Sequence, residues 1–246
     1  MKIQLKEPSF PRPGAKAQEY LFSAMNVWNT PLSLWGLSHV QVKEDGEILD
    51  IGCGGGKNLA RLLKKVPKGH VCGIDSSFRA VDFSYRLNEE AIRQGRCHIY
   101  EGSADVLPFG ENRFDLVVAE ETFYFWKDPE AALAEVLRVL KPEGHFLVIH
   151  SKSGGPLDRV YEKFIPGMKI YNKEELKDLL EEAGFRDVSA DSRMGALSVT
   201  AKKPSTLLDS AKRKLQQSTF PKRNLTTLAV SAAALGLVAY GISKRK

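Results

Sequence analysis

A run of apolar residues that ends in glycines decides the fold: residues 47–56 read EILDIGCGGG. Glu47–Ile51 predicts a buried strand, and Lys57–Val66, directly behind the glycines, predicts a helix. Glycines permit positive φ and leave room for a ligand against the backbone, while the following helix offers free N–H groups. The loop Asp50–Gly56 is therefore the strongest candidate for a ligand site.

Two common phosphate-binding patterns do not fit this loop. A dinucleotide site requires G-x-G-x-x-G, but counted from Gly52 the last position is Lys57. A P-loop requires Gly-Lys followed by Ser or Thr, whereas Asn58 follows here. Asp75 ends the next predicted strand, where a carboxylate can accept hydrogen bonds from both ribose hydroxyls.

Strands and helices alternate along the chain, which predicts an α/β fold with a parallel sheet and helices on both faces. Ligands of such sheets bind at the carboxyl ends of the strands. After Glu47–Ile51, six further strands are predicted: His70–Asp75, Cys97–Glu101, Phe114–Ala119, His145–Ile149, Asp187–Ala190 and Leu197–Ala201.

The predicted helices have recognisable boundaries. One helix is expected over Ser76–Gln94, and a second over Asp128–Leu140, followed by a turn at residues 141–144. Asn172 begins a further helix in a capping-box pattern. Residues 1–44 are expected to form a helical lead, divided at Pro31, that could act as a lid or pack as ordinary core.

Four stretches in this order resemble the class I S-adenosylmethionine-dependent methyltransferases: ILDIGCGGG, GIDSS, GSADVLPF, and FDLVVAEETFYFW followed by LRVLKPEGHFLVI. Within that class the chain is similar to the small-molecule type 11 group, which includes quinone-biosynthesis methyltransferases. The resemblance covers roughly Asp45–Lys203. It implies a Rossmann-like, seven-stranded, mostly parallel sheet in residues 45–203, S-adenosyl-L-methionine as cofactor, and an enzyme that methylates a small molecule.

The resemblance also implies which residues bind the methionine and ribose parts of the cofactor. Gly52 and Gly54 would lie against the methionine part, and Asp50 would support the loop. Asp75 would hold the ribose hydroxyls, with Ser76 beside it.

The remaining cofactor contacts follow the third and fourth predicted strands. The loop that contains Ser103, Ala104 and Asp105 would meet adenine, and Glu120 would lie near the sulfonium and the amino group. Members of the family often carry an acid where this chain has Ser103. The partner of the adenine amino group is therefore either the Ser103 hydroxyl or the Asp105 carboxylate.

Candidates for catalysis are few, because methyl transfer from a sulfonium needs mainly positioning. His150 follows the fifth predicted strand and is the best-placed histidine, although a structural role is the alternative. Tyr124 and Trp126 follow the fourth strand and could line the acceptor site or pack under the next helix. Glu120 and Glu121 are alternative bases.

The cysteines predict neither a disulfide framework nor a metal site. Cys53, Cys72 and Cys97 form no C-x-x-C pair and no cluster with histidine, so reduced thiols are expected. The chain also lacks the Asn/Asp-Pro-Pro-aromatic segment that marks methylation of nucleic-acid bases in similar enzymes. A nucleic-acid partner is therefore not expected.

Charge is distributed unevenly over the 246 residues, which carry 36 basic and 30 acidic side chains. Residues 202–246 contain ten basic residues and one acid, giving +9, so the rest of the chain is mildly acidic. A hydrophobic content of 43% excludes wholesale disorder. The basicity thus belongs to the tail and not to the predicted domain.

The tail predicts a membrane attachment. Residues 225–242 contain no charge and no proline, and at 1.5 Å per residue a helix of ~27 Å just matches a bilayer core. Basic residues flank this hydrophobic helix, and residues 204–224 form a basic linker that could rest on anionic lipid. An alanine-rich helix docked on the body or on a partner is the alternative.

These patterns predict a methyltransferase that is membrane-associated through its C-terminus, with its catalytic domain in the cytoplasm, or simply cytoplasmic if the segment is no anchor. A hydrophobic small molecule is then a natural acceptor. Two other functions stay open: a non-catalytic, cofactor-binding membrane scaffold, and an RNA methyltransferase that uses the basic tail as an electrostatic arm. The oligomeric state stays open as well.

Overall fold

The computed structural model describes residues 29–155 and 158–205. The chain divides into two compact units, residues 1–210 and 211–246, and the second lies outside the described residues. The predicted hydrophobic helix at 225–242, most of the basic linker and residues 1–28 of the helical lead also lie outside them. None of the helices within the described ranges has the length and apolar character needed to cross a membrane.

A seven-stranded sheet forms the centre of the first unit, in the order β3-β2-β1-β4-β5-β7-β6. β1 to β5 are parallel, while β7 runs antiparallel to both β5 and β6. This confirms the Rossmann-like, mostly parallel fold. The strands are β1 Glu47–Ile51, β2 His70–Asp75, β3 Cys97–Glu101, β4 Phe114–Glu120, β5 Leu140–His150, β6 Arg186–Arg193 and β7 Ala196–Lys202.

Helices cover both faces of this sheet, as the alternating pattern predicted. One buried cluster packs α5 and α7 against the sheet, and a second packs α1 and α2 against the other face. Alternation along β1 divides its side chains between the two: Leu49 belongs to the first cluster and Ile48 to the second. The helices are α1 Thr30–Leu37, α2 Lys57–Lys65, α3 Phe78–Leu87, α4 Glu89–Arg93, α5 Pro129–Val139, α6 Tyr161–Phe164 and α7 Lys173–Ala183, with 3₁₀ turns at Phe123–Phe125 and Asp158–Val160.

Side-chain caps fix the helix starts that the sequence predicted. The Asp128 carboxylate accepts a hydrogen bond from the N–H of Ala131 at 2.9 Å and begins α5. Asn172 and Glu175 form a reciprocal capping box at the start of α7, which confirms that prediction. Pro31 lies in the first turn of α1, where a missing N–H costs nothing.

The prediction of a single helix over Ser76–Gln94 was wrong, because Asn88 separates α3 from α4. The Asn88 amide donates to the carbonyl oxygen of Gly56 at 3.0 Å and to that of Ser84 at 2.9 Å. A side chain that bonds to backbone oxygens competes with helix propagation. The break therefore ties the glycine loop to the neighbouring helix.

The fifth strand begins earlier than its predicted start at His145. β5 opens at Leu140, which pairs with Phe114, whereas His145 pairs with Leu116. Four residues, 141–144, thus form a bulge inside the strand where a free turn was expected, and Glu143 there has φ of +66°.

The strand order reverses between β1 and β4. β2 and β3 lie on one side of β1, and the chain then crosses to β4 on its other side. A crevice opens at such a switch point, outside the carboxyl ends of the strands. The glycine loop after β1 and the residues after β4 meet there.

Candidate functional site

An open cleft lies at this switch point, with about 530 Å³ of empty space when the adjoining open solvent is included. The glycine loop forms one wall through residues 52–55, and Glu120 and Glu121 at the end of β4 form another. Asn29, Asp50, Asn58 and Arg61 complete the lining. The structure thus brings four of the residues predicted to bind the cofactor into one cleft: Asp50, Gly52, Gly54 and Glu120.

Two glycines of the loop are required for different reasons. Gly52 has φ of +72°, and a Cβ atom there would lie 2.2 Å from the Thr122 hydroxyl oxygen. Gly54 has φ of +51°, but the nearest atom to a Cβ would be the Gly52 carbonyl oxygen at 3.9 Å. Gly52 is therefore fixed by packing as well as by conformation, whereas Gly54 borders open space.

The glycine loop holds Asp75, the residue predicted to bind the ribose hydroxyls, through a hydrogen bond. Its Oδ2 accepts from the Gly54 N–H at 2.9 Å, and its Oδ1 accepts from the Ser77 N–H at 2.9 Å. Each oxygen keeps a further lone pair for a ligand hydroxyl. Neither Asp75 nor the exposed Ser76 lines the cleft. The backbone N–H groups of Gly54 and Ser77 orient the Asp75 carboxylate.

Asp50 and Asn58 form a buried polar pair beneath the loop. The Asn58 amide donates to Asp50 Oδ1 at 3.2 Å, while Asp50 Oδ2 and Asn58 Oδ1 have no hydrogen-bond partner. Burial, together with the neighbouring Glu120 carboxylate, raises the pKa of Asp50 well above its usual value. Two acceptor atoms are thus available to a donor in the cleft.

Glu120 belongs to a hydrogen-bonded chain that the sequence did not indicate. The Ser33 hydroxyl of α1 donates to Glu120 Oε1, and the Arg61 guanidinium donates to Ser33 Oγ at 3.0 Å and to Thr30 Oγ1. Burial raises the pKa of Glu120 to about 7. Its second oxygen, Oε2, is shielded from solvent and has no partner.

Sequence reasoning missed Asn29, Ser33, Asn58 and Arg61 as site residues. Asn58 and Arg61 are three positions apart on α2, the helix that follows the glycine loop, so they share one face. That spacing was a usable signal for α2. Ser33 lies 87 residues from Glu120 and carries no local signal of this contact.

The predicted adenine loop lies apart from the lining of the cleft. Ser103, Ala104 and Asp105 follow β3, and the Ser103 hydroxyl donates to Asp105 Oδ1. This hydrogen bond lowers the pKa of Asp105. The two alternative partners of the adenine amino group are therefore bonded to each other.

The two predicted catalytic residues are buried beside the cleft and do not line it. His150 is inaccessible to solvent, neither ring nitrogen has a hydrogen-bond partner, and the Tyr124 ring lies 4.6 Å from its centroid. Burial lowers the pKa of His150 to about 3, so the ring is neutral. Burial also raises the pKa of Tyr124, whose hydroxyl interacts with Glu121 and Ser151.

Glu121 connects the ends of two strands at the mouth of the cleft. The Ser151 hydroxyl donates to Glu121 Oε2 at 2.7 Å, and the Ser151 N–H donates to Oε1. Glu121 has φ of +55°, a conformation that costs about 1–3 kcal/mol in a residue with a side chain. Such strain persists only where the surrounding contacts hold it.

The buried polar atoms suit a ligand with a positive charge and hydrogen-bond donors. Three cleft residues leave an acceptor oxygen without a partner: Asp50, Asn58 and Glu120. A buried polar atom without a partner costs roughly 1–3 kcal/mol. An amino group and a sulfonium, as in S-adenosylmethionine, would satisfy these oxygens, and Gly54 leaves room for the ligand.

A family model described as a methyltransferase domain matches residues 49–148. The match runs from Leu49 in β1 to Val148 in β5 and includes most of the cleft. The domain that contains these residues belongs to the class I S-adenosylmethionine-dependent methyltransferases. Its cofactor is S-adenosylmethionine.

This methyltransferase is similar to several known proteins. It is 35% identical over 129 residues to an uncharacterized methyltransferase, C1B3.06c, of Schizosaccharomyces pombe, which covers 49% of this chain and 45% of that protein. It is 32% identical over 145 residues to the O-methyltransferase cnsE of Penicillium expansum, covering 56% and 51%. The chain thus spans about half the length of these two relatives.

A solved structure shares the fold. The SAM dependent methyltransferase from Aquifex aeolicus superimposes with a TM-score of 0.63 at 24% identity, covering 75% of this chain and 98% of that one. At this identity the likeness concerns the fold alone.

Proposed function

We propose that this methyltransferase transfers a methyl group to a small, hydrophobic molecule. The observation that supports methyl transfer is the cleft at the β1–β4 switch point, where three residues leave buried acceptor oxygens beside an open glycine loop. The hydrophobic character of the acceptor rests on the uncharged segment at residues 225–242 of the sequence. When bound, S-adenosylmethionine supplies an activated methyl carbon, whose bond to sulfur breaks as the bond to the acceptor forms, leaving S-adenosylhomocysteine.

Different residues in and beside the cleft bind different parts of the cofactor. Asp50 and Glu120 place their unpartnered oxygens where a cation is stabilised, and Gly54 allows close approach to the backbone. Asp75 offers its remaining lone pairs to the ribose hydroxyls, with Ser76 beside it. Ser103 or Asp105 receives the adenine amino group, as the loop of residues 102–105 follows β3 directly.

On the acceptor side, we assign Tyr124 and His150 to a buried layer behind Glu121. The Tyr124 hydroxyl interacts with Glu121, and Glu121 lines the cleft. His150 packs against the Tyr124 ring, with 4.6 Å between the ring centroids, and stays neutral because burial lowers its pKa to about 3. The Phe123 ring, whose centroid lies 6.1 Å from that of His150, makes this layer apolar.

The helical lead of residues 1–44 is proposed to cover this site. Two observations on its described part support that role: Asn29 lines the cleft, and Ser33 donates to Glu120. α1 therefore forms part of the cofactor site itself.

Attachment to a membrane through residues 225–242 rests on the sequence. The segment is uncharged and basic residues flank it on both sides, which is typical of a short C-terminal anchor. Membrane fractionation of the full chain and of a chain that ends at Lys203 tests this proposal. Release of the full chain by high salt would refute the anchor, because salt weakens only electrostatic attachment.

The methyl acceptor is best sought with cofactor labelled in its methyl group. Incubation with lipid extracts and with aqueous extracts should place label in the lipid fraction for the native chain and not for the Asp75→Ala variant. Cofactor binding without any turnover would instead support the membrane scaffold. Salt-dependent RNA binding that is lost on removal of residues 204–246 would support the RNA methyltransferase.

A further inference from the structure

Exposed apolar side chains lie along the carboxyl-end edge of the sheet, the edge at which the cleft opens. Nine large apolar residues of the described part of the chain are exposed. Six of them lie in four separate segments at the carboxyl-end edge of the sheet: Phe78 after β2, Phe125 after β4, Val160, Tyr161 and Phe164 after β5, and Met194 between β6 and β7. We call these six residues the apolar rim.

Strand pairing places Met194 at this edge. β7 runs antiparallel to β5, and Leu197 near its start pairs with His150 at the carboxyl end of β5. The turn from β6 to β7 therefore projects in the same direction as the loops around the cleft. Met194 is 98% exposed at the tip of this turn, an unusual position for a large apolar side chain.

The rim residues that follow β5 belong to a segment that packs against Tyr124. Ile165, Met168 and Ile170 pack against Tyr124, and the Lys169 N–H donates to the Tyr124 carbonyl oxygen at 2.8 Å. Phe164, which belongs to the same segment, is nevertheless 78% exposed. The segment buries one set of apolar side chains and presents another to solvent.

Basic groups accompany these apolar residues. Residues 152–169 contain four basic side chains, at Lys152, Arg159, Lys163 and Lys169, and two acidic ones. The Lys152 ammonium lies 4.5 Å from the centre of the exposed Tyr161 ring. Aromatic and aliphatic side chains mixed with lysine suit the interface of an anionic bilayer.

We propose that the apolar rim docks this domain on the surface of a lipid bilayer, with the mouth of the cleft facing the membrane. Six side chains spread over four segments suit a flat, deformable surface, whereas a stable protein partner requires one contiguous, complementary patch. The uncharged segment at 225–242 is an independent feature of the same chain that favours lipid. The proposal goes beyond methyl transfer and does not depend on which molecule accepts the methyl group.

Single labelled cysteines in the full chain test this orientation. The native cysteines are buried, so an environment-sensitive maleimide would report on Phe164→Cys and on Met194→Cys. Lys68→Cys is the matched control, because Lys68 precedes β2 at the opposite edge and its side chain is 73% exposed. The vesicles are phosphatidylcholine with about one third phosphatidylglycerol and a quencher attached to the lipid.

Lipid contact through the rim predicts that the quencher acts on the labels at positions 164 and 194 at least about twice as strongly as at position 68. Attachment through the tail alone would not favour the rim labels, because β7 ends at Lys202, which pairs with His145 and not with the carboxyl end of β5. Equal quenching at the three positions, or no quenching of any label, would overturn the proposal.

Iodide quenching without vesicles tests whether protein, and not lipid, covers the apolar rim. Free access of iodide to both rim labels is expected. Shielding that grows with protein concentration would assign the rim to a second copy of the chain. Shielding that is independent of concentration would assign it to other residues of the same chain, and either result would overturn docking on lipid.

Discussion

The N–H of Gly54 donates to Oδ2 of Asp75 at 2.9 Å, so the glycine loop and the end of β2 hold each other in place. The second carboxylate oxygen accepts from the Ser77 N–H, at the start of α3. Asp75 therefore fixes the loop and presents its outer lone pairs in a single conformation. A change at Asp75 acts on the loop as well as on a bound ribose.

Replacement of Asp75 by Asn should weaken binding of S-adenosylhomocysteine by about 10–100-fold. The amide removes the charge and turns one acceptor into a donor, and hydrogen bonds to charged groups contribute roughly 1.5–3 kcal/mol. Isothermal titration calorimetry measures the loss. Asp82→Asn is the control, since this carboxylate pairs with Arg86 on the exposed side of α3; a similar loss in both variants would contradict the assignment.

Alanine at Gly52 and at Gly54 should have separable effects. Gly52→Ala should lower the free energy of unfolding by about 2–4 kcal/mol, because positive φ and contact with Thr122 both oppose a Cβ. Gly54→Ala should cost only about 1–2 kcal/mol, the conformational part, but weaken cofactor binding by placing a methyl group in the cleft. Urea unfolding and calorimetry check the pair; equal destabilisation would be evidence against this division.

Much of the framework of the site could be predicted from the sequence. β1, β2 and β3 have the predicted bounds, because each is a short apolar run closed by glycine or a turn. The glycine loop and Glu120 stand at the ends of such strands. Their meeting in one cleft follows from the parallel topology alone.

Contacts between distant side chains could not be predicted in this way. Ser33 reaches Glu120 across 87 residues, and Asn88 reaches Gly56 across 32 and interrupts a helix. Neither contact alters the local periodicity that a single sequence displays. The contribution of α1 to the site could therefore be recognised only from the tertiary structure.

Cofactor affinity should rise with pH up to about 7 because of Glu120. Burial raises the pKa of Glu120 from 4.5 to about 7, so the free protein holds this proton in the interval where an ordinary glutamate has lost it. A bound cation favours the ionised carboxylate. Binding below pH 7 should therefore release up to about one proton per cofactor, and affinity should level off above that pH.

Calorimetry in buffers with different ionisation enthalpies counts the released protons. Glu120→Gln should reduce the release and weaken the pH dependence near pH 7, and what remains belongs to Asp50, whose pKa is also raised. Glu121→Gln should preserve both, because Glu121 bonds to Ser151 and not to Ser33. Proton release that is undiminished in Glu120→Gln would assign the titration near pH 7 to another group. The same pKa predicts that the contribution of Glu120 to stability decreases between pH 4.5 and about 7, since the unfolded chain binds fewer protons there.

Replacement of His150 by Leu should make the protein less sensitive to acid. Burial lowers the pKa of His150 to about 3, so below pH 6.5 the unfolded chain takes up a proton that the folded chain excludes. Stability should therefore fall by about 4 kcal/mol between pH 6.5 and about 3 in the native protein through this residue alone. His150→Leu removes that loss and two unpartnered nitrogen atoms. Urea unfolding across this pH range measures the slope, with His98→Leu on the exposed side of β3 as control; an unchanged slope in His150→Leu would show that His150 is not neutral in the folded protein.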